Sequence, residues 1–185
     1  MTTISEFNKI IQILYDKGYR EYVEAARIVG SRHQHMVFQL LGNIDPEYPN
    51  HVPEQEVKRD SIEGTISYLG YTNNVIDKIR EADCIVLPSY YNEGLSRVLM
   101  EALAMGKPII TTNIPGCKET VDNGMNGFVI PPRDIAALVE SMETIINMEN
   151  YQRIKMGHFS REKAEREFDV KNVIRVYEEI TRHLI

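Results

Sequence analysis

Residues 84–112 read CIVLPSYYNEGLSRVLMEALAMGKPIITT, and the fold is decided there. Cys84-Ile-Val-Leu87 is apolar at every position and is stopped by Pro88. A loop containing Gly94 follows. Residues 95–105 then repeat apolar side chains at helical spacing until Gly106, and Pro108 opens a second apolar run through Thr112. Strand, loop, helix, turn and strand in this order make a parallel pair. A strand apolar throughout is one covered on both faces.

Working outward, the same alternation continues. Upstream, Ile10, Ile11, Ile13 and Leu14 form a first strand candidate closed by Asp16-Lys17-Gly18, residues 36–41 a second ended by Gly42, and residues 65–69 a third followed by Gly70. Between them lie helical segments at 22–29, stopped by Gly30, at 53–60, opened by Pro53, and at 74–81. Downstream, the turn-rich Asp122-Asn-Gly-Met-Asn-Gly127 leads into a sixth strand at 128–130. Three helices follow at 135–148, 151–167 and 170–184, the last with Asp169 as its cap. The pattern predicts a Rossmann-like α/β domain: a doubly wound parallel sheet of about six strands, helices on both faces and extra helices at the C-terminus. Ligands of such sheets sit at the carboxyl ends of the strands, so functional residues are sought just after each strand.

The bulk properties narrow the function. The chain has 185 residues, 43% hydrophobic and 26% charged, with a net charge of -6. That balance gives no basic face for nucleic acid and no strongly cationic membrane patch. No apolar run reaches the ~20 residues of a transmembrane helix, no signal pattern opens the chain, and Cys84 and Cys117 form no CxxC pair, which reads as reduced cytosolic thiols. His33 and His35 make an HxH without a nearby carboxylate, and there is no DxD, so no metal site is expected.

Chemistry concentrates at 87–105. A helix N-terminus presents free N–H groups and a positive dipole end, which suits a diphosphate. Glu93 lies at the loop tip, and Glu101 lies about six residues into the helix, ~9 Å along its axis. Two carboxylates bracketing an anion site can each accept from the hydroxyls of one ring of a nucleotide sugar. Both could instead be solvated, although Leu99, Met100, Ala102 and Leu103 around Glu101 argue against that for Glu101. A glycosidase carboxylate pair would need a comparable separation.

The spacing of Glu93 and Glu101 resembles the EX7E motif of glycosyltransferase family 4, enzymes of the two-domain GT-B type. The wider run is similar to that family over nearly the whole chain: Val86-Leu-Pro-Ser-Tyr, Glu93-Gly-Leu-Ser-Arg, Glu101-Ala-Leu-Ala-Met-Gly-Lys-Pro-Ile-Ile-Thr-Thr, and Pro115-Gly-Cys-Lys-Glu-Thr-Val-Asp-Asn-Gly-Met-Asn-Gly-Phe. The flavour is that of transferases building capsule, lipopolysaccharide or lipid-linked oligosaccharide.

The resemblance implies that residues 1–185 are the C-terminal, donor-binding half of such an enzyme. The N-terminal acceptor domain would be absent from the chain, and the donor would be a nucleoside diphosphate sugar, UDP favoured, with no cofactor. Transfer to a glycan or lipid-linked acceptor would retain the anomeric configuration, in the cytoplasm, any attachment to the inner membrane face being left to the missing domain. Glu93 would be catalytic and touch the donor sugar. Gly94, Leu95 and Ser96 would offer backbone N–H groups, Glu101 would hold the ribose hydroxyls, and Lys17 would neutralise the diphosphate. Gln12 stands where the family usually has arginine, which leaves phosphate binding either weaker or carried elsewhere, Arg97 being a candidate that could instead face solvent or pair with a neighbour. Tyr71 would stack on the base or merely cover the sheet edge, and Gly42 would approach the nucleotide or merely turn the chain. A GT-B sugar-nucleotide epimerase and a non-enzymatic Rossmann-like binding module are the rival readings.

Overall fold

The computed structural model describes residues 6–10, 12–92 and 94–182. Six strands form one sheet: β1 (Glu6–Ile10), β2 (Val37–Leu41), β3 (Ser67–Tyr68), β4 (Cys84–Leu87), β5 (Ile109–Thr112) and β6 (Gly127–Ile130). Their order is β3-β2-β1-β4-β5-β6 and every pairing is parallel. This is the doubly wound order expected, and its direction reverses between β1 and β4.

Among the described residues the α-helices are α1 (Tyr19–Arg32), α2 (Glu54–Ile62), α3 (Val75–Glu81), α4 (Arg97–Ala104), α5 (Ile135–Asn147), α6 (Asn150–Glu167) and α7 (Val170–Arg182). Alternate residues of the central strands feed two cores. Cys84, Val86 and Ile110 pack with Tyr22, Val29, Leu138 and Met142 of α1 and α5. Ile85, Leu87 and Ile109 pack with Ile79, Leu99 and Leu103 of α3 and α4. Burial on both sides is why these strands carry no polar alternation. Gly106 and Gly157 let α6 lie against the turn into β5, because a Cβ on Gly157 would come within 2.4 Å of the Gly106 carbonyl oxygen. Lys163 of α6, 5% exposed, then donates to Asp122 and Glu167 at 2.8 Å each.

Three expectations need correction. The first strand is not 10–14. It is Glu6–Ile10, in register with Val37–Leu41, and Ile13 and Leu14 are instead buried in the turn beyond it. There the Ile13 N–H donates to the Asn43 carbonyl and the Ile13 carbonyl accepts from Val52 N–H. Ile11 lies outside the described residues. Gly30 does not stop α1, which runs on to Arg32 and passes close to β2; a Cβ there would meet Phe38 at 3.6 Å. The helix read as 95–105 begins at Arg97, with Ser96 as its cap residue. The last helix is capped as read, Asp169 accepting from Lys171 N–H at 2.9 Å. Of its apolar stripe, Val170, Ile174, Tyr177 and Ile180 are exposed, while Leu184 and the side chain of Val173 lie outside the described residues.

Candidate functional site

The crevice opens where the β1 and β4 chains diverge. After β1 the chain makes a 3-10 turn, Tyr15–Lys17, that ends on Gly18 in the left-handed region at φ 76°. A Cβ on Gly18 would fall 2.2 Å from the Pro88 carbonyl oxygen, so glycine is required both by the backbone angle and by the contact. The Asp16 carbonyl accepts from Tyr90 N–H at 2.9 Å, Tyr91 N–H at 3.2 Å and the Ser89 hydroxyl at 3.2 Å. The strand ends are pinned in turn: the Thr111 hydroxyl donates to the Leu87 carbonyl at 2.8 Å and the Thr112 hydroxyl to the Ser89 carbonyl. The Lys17 turn and the loop entering α4 therefore form one unit.

Lys17 lies in that turn rather than at a strand end, and it is only 8% exposed. Its Nζ sits 5.2 Å from the centre of the Tyr91 ring, a cation held against an aromatic face. Tyr90, the preceding residue, carries the Arg133 guanidinium 4.1 Å from its ring centre. Burial first, then the charge of Glu21, pushes the Tyr90 phenol above its ordinary range, with Arg133 opposing. One oxygen of Asp16 accepts from Asn50 Nδ2 at 3.1 Å, and the other is buried with no hydrogen-bond partner among the described residues, as is Glu21 Oε2.

On the other side of the crevice stands α4. A helix that starts at Arg97 leaves its first N–H groups, those of Arg97, Val98 and Leu99, without intrahelical partners. The Ser96 N–H is not among the free donors: it donates to the Gly116 carbonyl at 3.0 Å. Gly94 and Leu95 are exposed. Because α4 starts at Arg97, Glu101 is about one turn in, ~6 Å from the helix start rather than ~9 Å. Its side chain is 30% exposed and accepts from Arg97 Nε at 2.9 Å. Arg97, itself 88% exposed, is thus tied along its own helix to Glu101 instead of reaching toward Lys17. Glu93, the expected catalytic residue, lies outside the described residues.

The other sequence candidates line the β2 and β3 ends. The Gly42 N–H donates to the Gly70 carbonyl at 2.9 Å and the Gly42 carbonyl accepts from the Tyr68 hydroxyl at 3.1 Å, so both its backbone groups are already used in tying these turns together. Tyr71 is exposed and donates to Asn73 Oδ1 at 2.7 Å. Gln12 is exposed. Beside them a cavity of about 620 Å³ is lined by Asn43, Ile44, His51, Glu54 and Tyr68 among others. A second cleft, about 560 Å³, lies at the opposite end of the sheet, along α6. Lys107 and Arg161 there donate at 2.7 Å to the carbonyls of Arg80 and Ala104. Arg153 also donates to the Met148 carbonyl. These cations close the ends of α3, α4 and α5, and they sit away from the strand carboxyl ends.

Asp16, Tyr90, Tyr91 and Arg133 were not singled out by sequence reasoning. The usable signals were the adjacency of Asp16 to Lys17 and the paired tyrosines directly after a strand end. His33 and His35 pack edge to face in the turn before β2, at the amino end of the strands. Among the described residues no three His, Cys, Asp or Glu side chains are placed to hold a metal ion, and no helix is long and apolar enough to cross a membrane.

Comparison with known proteins gives concordant matches. Residues 10–148 match the family model described as glycosyl transferases group 1. The capsular polysaccharide biosynthesis glycosyltransferase CapM of Staphylococcus aureus is 29% identical over 157 residues, 85% of this chain and 40% of that protein. The crystal structure of Anabaena HepE in complex with UDP superposes with a TM-score of 0.82 at 21% identity, over 97% of this chain and 49% of HepE. The crystal structure of the C-terminal domain of a Francisella tularensis group 1 glycosyl transferase, LpcC, superposes with a TM-score of 0.76 at 19% identity, over 91% of this chain and 88% of that one. The chain thus spans less than half the length of CapM and of HepE.

Proposed function

Because this chain belongs to the glycosyl transferases group 1 family, we propose that it is the donor-binding part of a glycosyltransferase, residues 1–185 forming the half that holds a nucleoside diphosphate sugar. One observation carries the reading. The Lys17 turn is bonded through Asp16 to the loop that enters α4, so a buried cation and a helix N-terminus flank one crevice at the sheet's switch point. A diphosphate is the ligand such a pair favours, since charge and free N–H groups act together.

We assign the roles from position and, for Glu93, from the family motif. Lys17 meets the diphosphate, which requires the exposed Tyr91 ring to yield or to share its cation. Glu101 Oε1 stays with Arg97, and Oε2 accepts from the ribose hydroxyls. Backbone N–H groups of Gly94 and Leu95 take part, whereas Ser96 serves as the buried cap that fixes the loop to Gly116. Glu93 contacts the donor sugar. Tyr71 flanks the base, Gly42 holds the turn beneath it, and Gln12 offers only neutral hydrogen bonds.

UDP is the favoured nucleotide, supported by the UDP held in HepE. An N-terminal domain would supply the acceptor site, for a glycan or lipid-linked acceptor, and the likeness to a capsular polysaccharide biosynthesis enzyme supports a role in polysaccharide synthesis. We place the reaction in the cytoplasm, with retention at the anomeric carbon, in synthesis of a surface polysaccharide. Donor and acceptor must be held in line for transfer, so this chain alone is expected to bind without turning over. Isothermal titration with UDP, GDP and ADP tests the reading: millimolar or tighter binding of at least one, undiminished by EDTA, supports it. Absence of heat and of thermal stabilisation with all three would overturn it.

A further inference from the structure

Among the described residues, Arg133 is the one non-glycine with a left-handed backbone, φ 61°. It sits in Pro131-Pro132-Arg133-Asp134, between β6 and α5, and Asp134 caps α5 by accepting from Ala137 N–H at 2.9 Å. Glycine would hold this turn without strain, so an arginine here is explained only by what its side chain does.

The side chain reaches back over the strand ends to the Tyr90 ring, 4.1 Å from its centre. Tyr90 and Tyr91 both donate their N–H groups to the Asp16 carbonyl, and Tyr91 carries Lys17. Two consecutive tyrosines of the α4-entry loop therefore each hold a cation, one delivered from the β1 end and one from the β6 end. The charges of Glu21 and then of Asp16, which is buried, act on the Tyr90 hydroxyl. Arg133 itself is exposed, and with one edge of its guanidinium turned to the Tyr90 hydroxyl it still has further N–H groups for an anion.

A diphosphate carries more negative charge than one lysine offsets, and Arg97 is already engaged by Glu101. Resting on the donor-site reading above, we propose that Arg133, positioned by Tyr90, contacts the donor's diphosphate and is its second cationic partner beside Lys17. The left-handed strain at residue 133 is retained for that contact.

The test is Arg133→Gly, measured with whichever of UDP, GDP and ADP the unaltered chain binds most tightly and with the matching nucleoside, by calorimetry and NMR titration. Glycine suits the backbone angle, so the melting temperature should hold. Affinity for the diphosphate should fall about tenfold or more, as loss of a charged contact implies, and affinity for the nucleoside should not change. Diphosphate affinity within about twofold of the unaltered chain, or an equal loss for the nucleoside, would overturn the inference. Failure of the unaltered chain to bind any of the three nucleotides would instead remove the donor-site reading and this inference together.

Discussion

Alanine at Gly18 should test how the crevice is built. Two effects add there. A β-carbon at φ 76° carries left-handed strain of ~1 kcal/mol. It would also stand 2.2 Å from the Pro88 carbonyl oxygen and 2.7 Å from the Pro88 carbonyl carbon and Cγ. Two backbone segments bonded through Asp16, Tyr90 and Tyr91 would have to part, an overpacking loss of about 2 kcal/mol. Gly64 is the internal control. It has the same φ, 76°, but a β-carbon there meets nothing within 4 Å, so its alanine variant carries the strain alone. In urea, with a slope of about 2 kcal/mol/M, Gly64→Ala should lower the unfolding midpoint by about 0.5 M and Gly18→Ala by about 1.5 M. Gly18→Ala should also weaken nucleotide binding, because the displaced turn carries Lys17, while Gly64→Ala should not. Equal midpoints for the two variants would refute the claim that contact with Pro88 fixes this turn.

Glu101→Ala should weaken nucleotide binding by ~1–3 kcal/mol in calorimetry, the loss expected for a charged acceptor, and Arg97→Ala, at an exposed pair, should do less. Glu93→Ala should leave free UDP unaffected and weaken only the sugar conjugate; equal loss of UDP in the Glu93 and Glu101 variants would reverse the roles given to them. Burial, the largest single influence, pushes the Glu167 carboxyl up, but the hydrogen bonds and charges of Lys163 and Arg166 together outweigh it and hold it below its ordinary 4.5. With the folded value depressed, this contribution is complete above about pH 4.5 and is lost as the pH falls through the folded value. Urea titrations across that window should therefore show a shallower acid loss for Lys163→Met than for the unaltered chain, and an identical slope would discount the network.

The fold was legible wherever strands are buried on both faces. Residues 84–112 announced β4, α4 and β5 because two cores act on alternate residues and leave no polar position. The same logic concealed β1, whose letters, Glu-Phe-Asn-Lys-Ile, mix polar and apolar residues although the strand is central. The apolar Ile13 and Leu14 drew the reading to the turn beyond it. Gly30 misled because a helix tolerates glycine where it passes close to a strand.

In the candidate site, positions near strand ends could be named from order alone. Partners could not, because they lie far apart in the chain. Gly18 meets Pro88, Arg133 reaches Tyr90, and Ser96 gives its N–H to Gly116. Only the short-range pair of Arg97 and Glu101, one helical turn apart, was readable in principle from spacing.

The most direct measurement is a crystal structure of the chain with a bound nucleotide sugar. The diphosphate is expected between the Lys17 turn and the start of α4, with the ribose on Glu101. A nucleotide seated in the α6 cleft by Lys107, Arg153 and Arg161, or held with Lys17 and Glu101 untouched, would contradict it.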